Sequence, residues 1–295
     1  MNIPKLAAEQ KKHLGIIGCQ ISHSLSPVMH NTVIQTLNLP MVYGVMDVTE
    51  EMLPSLISSM RSLHFRGANV TIPYKQIIMK YLDEISEEAE KIGAVNTIVN
   101  NNGRLIGHNT DVWGVYLSLQ PYTNEIKNNH VIIFGAGGAT KATVFAVAKF
   151  FSPRYISIVN RTAEKAHQII NHFSPQYRLT KFSHLETESD IQREIEVAAL
   201  VINTTSVGMK PNIHAMPISP NIVLQKNQLV FDIVYNPVET SFLKLAKSVE
   251  ARTIGGVEML LGQGARAFEL WTHQEFPMSA ARAVLTQELT NPNGE

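Results

Sequence analysis

An apolar run that ends in a glycine cluster constrains the fold of this chain more than any other stretch. Residues 131–134 (VIIF) are rich in β-branched side chains and predict a buried parallel strand, and residues 140–151 predict a helix. Gly135 can adopt the positive φ of a tight turn, and Gly137 leaves room for a phosphate beside the backbone. A strand, a glycine turn and a helix in this order are typical of dinucleotide-binding folds, in which the helix amides face an anion.

A glycine turn can also end an ordinary strand, so the next strand is needed to decide between the two interpretations. Residues 155–159 (YISIV) predict that strand, and Asn160, Arg161 and Thr162 follow it, where dinucleotide folds place a ribose-reading residue. An acidic residue there would favour NAD, whereas the planar fork of Arg161 suits the 2′-phosphate of NADP. Lys165 adds a second positive charge, and Thr162 can cap the next helix. The sequence favours NADP, with a solvated loop arginine as the alternative interpretation.

The length and charge of the chain limit its partners. Its 295 residues are enough for two domains, and a hydrophobic share of 44% with 17% charged residues predicts a well-filled interior. The 25 basic residues equal the 25 acidic ones, so the chain has no basic field to hold nucleic acid or an anionic membrane. We therefore expect a small-molecule partner, no nucleic acid and no membrane.

The cysteine content and the N-terminal residues indicate a cytoplasmic protein. The single Cys19 excludes an internal disulfide framework and fits a reducing compartment, with a structural thiol favoured over a nucleophile. Charged residues such as Lys5 and Glu9 precede any apolar run, so a signal peptide is not expected. No uncharged apolar stretch approaches the roughly 18 residues that a transmembrane helix needs.

The first part of the chain is predicted to combine strands and helices. Pro27, at a first helical position, predicts a helix with Ser26 as its cap. Asn102 and Gly103 between two apolar runs predict a β-hairpin, because both residues tolerate positive φ. A helix is also expected at residues 74–82. The predicted strands of this part are residues 14–18, 42–48, 67–71, 95–99 and 104–106.

The second part of the chain follows a polar connection at residues 121–129. Strands that alternate with helices imply a parallel sheet with right-handed crossovers, whose ligand lies beyond the carboxyl ends of the strands. The polar loop 203–209 lies at such an end. Residues 182–188 are predicted as a loop, and two helices, residues 257–272 and 278–289, follow at the end of the chain. The predicted strands of this part are residues 131–134, 155–159, 198–202 and 229–235.

Seven short stretches, in one order along the chain, are similar to the motifs of one enzyme family. Together they resemble shikimate dehydrogenases, including the related quinate/shikimate dehydrogenases. The matching stretches are SHSLSP (22–27), NVTIPYK (69–75), GAVNT (93–97), GHNTD (107–111), GAGGA with NRT (135–139 and 160–162), NTTSVGM (203–209) and GVEMLLGQ (256–263).

The resemblance implies an α/β protein with two domains. Residues 1–110 would form an N-terminal α/β substrate domain, completed by C-terminal helices in residues 256–295. Residues 111–255 would form a Rossmann-like, doubly wound NADP-binding domain, with the site in the cleft between the two. The implied reaction is the reversible, NADPH-dependent reduction of 3-dehydroshikimate to shikimate in aromatic amino acid biosynthesis. NAD is expected as a less preferred cofactor, and the protein is expected to be a monomer or a homodimer.

Lys75 and Asp111 match the catalytic pair of the family. Oxidising a secondary alcohol needs a group that accepts the hydroxyl proton, and the reverse reaction needs an acid or a cation at the carbonyl oxygen. A lysine can do both, and Asp111 would orient its ammonium group. A salt bridge also favours protonated Lys75, so its role as base or as electrostatic stabiliser stays open. By composition alone, Lys75 would be a solvated helix residue.

The other motifs imply two further groups of site residues. Ser24 and Ser26 would hydrogen-bond the substrate carboxylate, and short polar groups at element ends suit a polyhydroxylated ring. Tyr235 and Met259 would flank the substrate and the nicotinamide, with core packing as the alternative for Met259. The implied substrate-binding residues are Ser24, Ser26, Asn69, Thr71, Asn96, Tyr235 and Gln263. The implied cofactor-binding residues are Gly135, Ala136, Gly137, Gly138, Ala139, Asn160, Arg161, Thr162, Lys165, Thr204, Ser206, Gly256 and Met259.

Two departures from the family pattern leave alternatives open. Lys165 stands where many family members carry arginine, which weakens a bidentate phosphate contact. The loop 210–212 (KPN) resembles the quinate/shikimate branch, so an enzyme that accepts quinate and NAD is one alternative, and an inactive dinucleotide-binding sensor is another. His30 and His108 lie inside matched motifs without a metal-ligand pattern, so no metal is expected.

Overall fold

The computed structural model of the chain describes residues 11–62, 64–178 and 180–290. The chain divides into two compact units: a first unit, Met1–Asn109 with Gly264–Glu295, and a second unit, Thr110–Gln263. Lys5 and Glu9, on which the expectation about a signal peptide rests, lie outside the described residues. No helix in the described part combines the length and the apolar character that crossing a membrane requires.

The described residues alternate strands and helices along most of the chain. The strands are β1 (Lys12–Gly18), β2 (Met41–Asp47), β3 (Gly67–Val70), β4 (Glu84–Ile85), β5 (Thr97–Asn101), β6 (Arg104–His108), β7 (His130–Phe134), β8 (Tyr155–Val159), β9 (Lys181–Leu185), β10 (Ala198–Asn203), β11 (Leu229–Asp232) and β12 (Arg252–Ile254). The α-helices are α1 (Ser26–Thr36), α2 (Leu53–Ser62), α3 (Glu87–Ile92), α4 (Asp111–Leu119), α5 (Thr123–Ile126), α6 (Gly138–Phe151), α7 (Ala163–Phe173), α8 (Glu188–Ile195), α9 (Ser241–Ser248), α10 (Gly256–Thr272) and α11 (Met278–Thr290).

The first unit is built on a mixed sheet of six strands in the order β2-β1-β3-β5-β6-β4. β1 lies parallel to β2 and β3, whereas β5 runs antiparallel to β3 and β6. The β5–β6 hairpin turns at Asn102 (φ 53°) and Gly103 (φ 92°), which confirms the predicted hairpin. Because β1 and β3 are parallel, the loops that follow them, which include residues 22–27 and 71–75, leave the same edge of the sheet.

An aromatic cluster joins the C-terminal part of α10 to this sheet. Trp271 is completely buried, and its indole N–H donates a hydrogen bond of 2.9 Å to the carbonyl oxygen of Ile98. Arg66 donates to the carbonyl oxygen of Trp271 at 2.5 Å. A Cβ atom on Gly67 would lie 2.3 Å from the Trp271 ring, so this close approach requires glycine. These contacts place the end of α10 in the core of the first unit.

The second unit is built on six parallel strands in the order β12-β11-β10-β7-β8-β9, which confirms the predicted parallel sheet. Counted from β7 outwards, this is the strand order of a doubly wound dinucleotide fold. Every residue of β7 is buried. A strand covered on both faces needs apolar side chains on both faces, which is why residues 131–134 form a continuous apolar run.

The prediction of a loop at residues 182–188 is wrong, because Lys181–Leu185 form β9 at the edge of the parallel sheet. An edge strand with one exposed face needs fewer apolar residues than a central one. Ser183 on β9 exchanges a hydrogen bond of 2.8 Å with Ser157 on β8, so polar residues carry part of the pairing. A search for apolar runs therefore overlooks this strand.

Three smaller predictions also differ from the structure. The helix expected at residues 74–82 is a short 3₁₀ helix, Ile77–Tyr81, and the strand expected at residues 229–235 ends at Asp232. Ser26 does not cap α1, because the helix already begins there and Leu25 occupies the cap position. Instead, the Ser24 hydroxyl accepts a hydrogen bond of 3.3 Å from the Ser26 N–H. The polar connection at residues 121–129 contains the short helix α5.

Candidate active site

The glycine turn after β7 has the geometry that the sequence predicts. Gly135 adopts φ +122°, and a Cβ atom there would lie 2.6 Å from the Thr204 hydroxyl oxygen and 2.9 Å from the Thr140 hydroxyl oxygen. The N–H of Gly135 donates to the carbonyl oxygen of Val159 at 2.8 Å. Apart from its chain neighbours, no described residue places an atom within 4 Å of the Cβ position of Gly137, so the start of α6 is open to a ligand.

Two buried threonines connect this turn to the end of β10. The hydroxyl oxygens of Thr140 and Thr204 lie 2.8 Å apart, and the Thr204 hydroxyl also donates to the carbonyl oxygen of Phe134 at 2.6 Å. The Thr140 hydroxyl accepts from the Gly137 N–H at 3.0 Å. The sequence predicted Thr204 as a site residue but missed Thr140. A hydroxyl residue in the first turn of the helix after the glycines is the signal that identifies it.

A second network fixes the loop that follows β10. The Asn203 side chain accepts from the N–H and the hydroxyl of Thr205 at 3.0 and 2.7 Å. It donates to the carbonyl oxygen of Val207 at 3.1 Å and to the Asp232 carboxylate at 2.9 Å. Asp232, at the end of β11, also accepts from the Thr240 hydroxyl at 2.7 Å. These bonds shape loop 203–209, which contains the predicted residues Thr204 and Ser206.

Burial raises the pKa of Asp232 to about 6, against the opposing effect of its hydrogen bonds from Thr240, Val234 and Asn203. The Asp232 side chain is completely buried, so its charged form loses the stabilisation that water provides. This loss is larger than the stabilisation of the charged form by the three hydrogen bonds. The sequence missed Asp232. An acidic residue at the end of an otherwise apolar strand, here Leu229–Asp232, is the signal that identifies it.

The residues predicted to bind the adenosine phosphate lie at the carboxyl end of β8 and in the first turn of α7. Arg161, Thr162 and Lys165 are exposed, and the Asn160 amide donates to the carbonyl oxygen of Thr162 at 2.9 Å. Within residues 11–62, 64–178 and 180–290, neither Arg161 nor Lys165 forms an ion pair with a carboxylate. Thr162 occupies the cap position of α7, but its side chain makes no capping hydrogen bond, contrary to the prediction.

In the first unit, buried polar side chains meet where β3 and β5 pair. The Asn69 side chain accepts from the Tyr43 hydroxyl at 2.7 Å and donates to the Thr97 hydroxyl at 3.1 Å. It also donates to the carbonyl oxygen of Asn96 at 3.3 Å, and the Thr97 hydroxyl donates to the Asn96 side chain at 3.0 Å. The structure therefore brings Asn69 and Asn96 together. Tyr43 and Thr97 hydrogen-bond to these two side chains, and neither was predicted from the sequence as a site residue.

Lys75 follows a tight turn in which the Tyr74 N–H donates to the carbonyl oxygen of Thr71 at 2.9 Å. Lys75 is half-buried, and its carbonyl oxygen accepts from the Val95 N–H at 2.7 Å, which fixes the backbone from which its side chain extends. Asp111 is the first residue of α4 and is 5% exposed. A carboxylate in the first turn of a helix interacts favourably with the helix dipole.

Lys75 belongs to the first unit and Asp111 to the second, so their pairing remains a prediction. Ser24 and Ser26 also lie in the first unit, where they are half-buried and buried. Gln263 lies in the second unit, and its side chain donates to the carbonyl oxygen of Leu260 at 3.0 Å.

The remaining predicted residues lie in the second unit. A Cβ atom on Gly256 would lie 2.2 Å from the carbonyl oxygen of Ile233, so the start of α10 requires glycine. Met259 is 7% exposed, and Tyr235 is half-buried beyond the end of β11. The burial of Met259 agrees with the core-packing alternative as well as with a contact to the nicotinamide.

His30 packs in the core of the first unit and belongs to no group of three or more potential metal ligands among the described residues. Its ring stacks on Tyr43 with ring centroids 4.5 Å apart and lies edge-on to Trp271 and Phe276. Both ring nitrogens are buried, and neither has a hydrogen-bond partner in the described part of the chain. Burial lowers the pKa of His30 to about 3, so the imidazole is neutral at physiological pH. Burial also lowers the pKa of His108, and the positive charge of Arg266 adds to that effect.

The fold and the site define the class of this protein. A doubly wound parallel sheet with a glycine turn after its central strand is typical of dinucleotide-binding proteins of the Rossmann class. Comparison with known families is more specific. Residues 16–98 match the shikimate dehydrogenase substrate binding domain, residues 118–250 the shikimate / quinate 5-dehydrogenase family, and residues 256–286 the shikimate 5′-dehydrogenase C-terminal domain. The chain belongs to the shikimate dehydrogenase family.

Individual relatives agree with this assignment. The shikimate dehydrogenase (NADP+) of Methanococcus maripaludis is 42% identical over 261 residues, which cover 88% of this chain and 91% of that protein. The chain is similar to a shikimate dehydrogenase crystallised in complex with NADP+, with a TM-score of 0.86, 38% identity and coverage of 95% and 96%. It is also similar to the shikimate 5-dehydrogenase of Listeria monocytogenes in complex with shikimate and NAD, with a TM-score of 0.85, 34% identity and coverage of 96% and 99%.

Proposed function

We propose that this protein is an NADP-dependent shikimate dehydrogenase, which catalyses the reversible reduction of 3-dehydroshikimate to shikimate. The proposed reaction is supported by membership of the shikimate dehydrogenase family. The proposed preference for NADP is supported by residues of the second unit. The preference rests on Arg161, which is exposed at the carboxyl end of β8 and has no ion-pair partner among the described residues. β8 lies next to β7, the strand that leads into the glycine turn. A guanidinium group in this position suits the 2′-phosphate that distinguishes NADP from NAD.

The cofactor residues divide into two groups by chemistry. The backbone of residues 135–139 offers amide donors and open space for the pyrophosphate, because α6 begins at Gly138. Arg161 and Lys165 offer cationic donors for the 2′-phosphate, with Asn160 and Thr162 beside them. Thr204 holds the glycine turn by its hydrogen bonds, and Ser206, Gly256 and Met259 complete the proposed site.

The chemistry at the substrate is assigned to Lys75 and Asp111. NADPH supplies the hydride that reduces the carbonyl carbon. In our proposal, the Lys75 ammonium group donates a hydrogen bond to the carbonyl oxygen and transfers its proton as the alcohol forms, and the neutral amine takes the proton in the opposite direction. Asp111 keeps the lysine oriented and stabilises its charged form. The substrate is held by Ser24 and Ser26 at its carboxylate. Its hydroxyl groups are bound by Asn69, Thr71, Asn96, Tyr235 and Gln263.

The second candidate function is a quinate/shikimate dehydrogenase that accepts NAD. It is favoured by the loop 210–212 and by the bound NAD in the Listeria relative. We further propose a cytoplasmic enzyme, in keeping with the free thiol of Cys19, that acts as a monomer or a homodimer.

Initial rates with shikimate and with quinate, each with NADP and with NAD, test these functions. We expect activity with shikimate and NADP to exceed the other three combinations. Comparable rates with quinate and NAD would favour the second candidate. Tight NADP binding without turnover of either substrate would instead indicate a dinucleotide-binding sensor.

A further inference from the structure

Two histidines and a glutamate meet at the outer edge of the parallel sheet in the second unit. His167 lies on α7, His184 lies on the edge strand β9, and Glu186 follows that strand. One possible ligand atom from each residue lies within 4.8 Å of the other two. The imidazole rings of His167 and His184 meet edge to face, with their centroids 5.1 Å apart. We call these three residues the His-His-Glu cluster.

The central member of the cluster is a buried imidazole without hydrogen bonds. The His184 side chain is 3% exposed, and both of its ring nitrogens lack a hydrogen-bond partner among the described residues. Leaving such a polar group buried and unsatisfied costs free energy. Packing against α7 explains why an imidazole can be buried there. It does not explain why a ring nitrogen of His184 lies within 4.8 Å of a ligand atom from a second imidazole and of one from a carboxylate.

The spacing of the cluster suits a metal ion. Nδ1 of His184 lies 3.4 Å from a carboxylate oxygen of Glu186. Two ligands of a tetrahedral zinc ion, each about 2.0–2.2 Å from the metal, are separated by roughly 3.3–3.5 Å. The other ligand atoms lie within 4.8 Å, and both His167 and Glu186 are exposed, so side-chain rotation can bring them closer.

The chemistry of the donors selects the metal. Two imidazole nitrogens and one carboxylate oxygen form a ligand set that zinc uses with a water molecule in the fourth position. Calcium and magnesium prefer oxygen ligands, so the same cluster discriminates against them. We propose that His167, His184 and Glu186 form a zinc-binding site, with water as the fourth ligand.

Zinc bound at this position would connect α7 to β9 through metal–ligand bonds. α7 begins directly after Arg161 and Thr162, and β9 is the outermost of the described strands in this sheet, where it pairs with β8. A ligand that binds the folded state stabilises it in proportion to the logarithm of its free concentration over the dissociation constant. The bound metal therefore raises the melting temperature of the protein. This proposal is independent of the reaction that the protein catalyses.

The test uses the full-length protein stripped of metal with a chelator and titrated calorimetrically with zinc chloride. Because the chain has eleven histidines, the comparison is between variants. His167→Ala removes one exposed ligand, and Glu186→Gln removes the negative charge of the other. His172→Ala removes a histidine from the same helix, outside the cluster, and serves as the matched control. Each protein is also melted with and without zinc, and with magnesium in place of zinc.

We expect one zinc site of highest affinity in the wild type and in His172→Ala, with a higher melting temperature in zinc but not in magnesium. His167→Ala should weaken this site by more than about 100-fold, since losing even an outer-shell partner costs about 10–100-fold. Cobalt in the same site should show the visible absorption of a tetrahedral complex. Equal zinc affinity in the wild type and His167→Ala, or an equal stabilisation by zinc in both, would overturn the proposal.

Discussion

Asn203 donates a hydrogen bond of 2.9 Å to Asp232, and both residues end neighbouring parallel strands of the second unit. The same Asn203 side chain holds the backbone of Val207 and the side chain of Thr205. The buried Asp232 carboxylate thus fixes the Asn203 side chain. Asn203 in turn fixes loop 203–209, which contains the proposed cofactor-binding residues Thr204 and Ser206. Asp232 is a positioning residue in this arrangement.

The Asp232 network predicts different effects for two substitutions. Asp232→Asn keeps an oxygen that accepts from Asn203 and Val234, and its new amide can donate to the Thr240 hydroxyl. Asp232→Ala leaves all three donors without this acceptor, at a cost of about 1–3 kcal/mol for each buried group left unsatisfied. We expect Asp232→Ala to lower the free energy of unfolding far more than Asp232→Asn, and to raise the KM for NADPH. Denaturant titrations and initial rates measure both effects.

The raised pKa of Asp232 determines how the stability of the Asp232→Asn variant, relative to the wild type, should change with pH. The folded-state pKa of about 6 lies above the ordinary value of 3.8, so the folded protein binds more protons between these values. The contribution of Asp232 to stability therefore falls as pH rises through this window, by up to about 1.4 kcal/mol per pH unit. The stability of Asp232→Asn relative to the wild type should rise from pH 4 to pH 6. A difference independent of pH would contradict the raised pKa.

His30 predicts the opposite pH dependence. Its folded-state pKa of about 3 lies below the ordinary value of 6.5, so the unfolded chain binds more protons between these values. The stability linked to His30 is complete above pH 6.5 and is lost as pH falls towards 3, by up to about 1.4 kcal/mol per pH unit. His30→Leu, of similar volume, removes this titration. Urea unfolding from pH 4 to pH 7 should show a smaller loss of stability with acidification in His30→Leu than in the wild type, and equal slopes would count against the assignment.

The glycine turn predicts a contrast between two alanine substitutions. Gly135→Ala places a side chain at φ +122°, 2.6 Å from the Thr204 hydroxyl oxygen, so it should reduce stability by about 1–3 kcal/mol or more. Gly137 has φ −94°, and no described residue beyond its chain neighbours lies within 4 Å of its Cβ position. Gly137→Ala should therefore leave stability unchanged while its methyl group hinders the pyrophosphate and raises the KM for NADPH. Thermal melts and initial rates on both variants check this, and a stable Gly135→Ala protein would contradict the strain argument.

Arg161 is expected to distinguish the two cofactors. Arg161→Ala removes a charge-assisted contact to a phosphate that NAD lacks, which is worth about 1.5–3 kcal/mol. The dissociation constant for NADP should rise by about 10- to 150-fold, while that for NAD changes little. Arg193→Ala is the matched control, because Arg193 is an exposed arginine of the same unit that pairs with Asp190 on α8. Equal losses for both cofactors in Arg161→Ala would disprove this role.

Sequence patterns correctly predicted the elements whose conformation depends on neighbouring residues in the sequence. The apolar run of β7, the positive φ of Gly135 and the hairpin at Asn102 and Gly103 follow from local chemistry, and the structure confirms them. The edge strand β9 was missed, because pairing on one side and exposure on the other remove the apolar run that identifies a central strand.

The partners of the site residues could not be predicted by the same means. Asp232 and Thr140 are single polar residues, and their importance depends on contacts with Asn203 and Thr204 that are distant in sequence. Only the assembled sheet brings these pairs together. The His-His-Glu cluster could not be predicted for the same reason. It forms only because α7 packs on β9, a strand that the sequence did not predict.

In the proposed mechanism, the chemical step depends on Lys75 and Asp111. Lys75 extends from a backbone fixed by the Val95 N–H, and Asp111 begins α4 as a nearly buried carboxylate. If Lys75 supplies the proton at the substrate oxygen, Lys75→Ala should lower turnover by about 10²- to 10⁴-fold while shikimate affinity changes much less. Asp111→Asn should cause a smaller loss, and the double variant should lose less than the product of the two if the residues act as the proposed pair. Lys80→Ala, an exposed lysine in the adjacent 3₁₀ helix, is the control and should keep full turnover. Turnover and shikimate affinity are measured separately for each variant. Turnover in Lys75→Ala within about threefold of the wild type is incompatible with proton transfer by this lysine, because a loss that small lies far below the range expected for such groups.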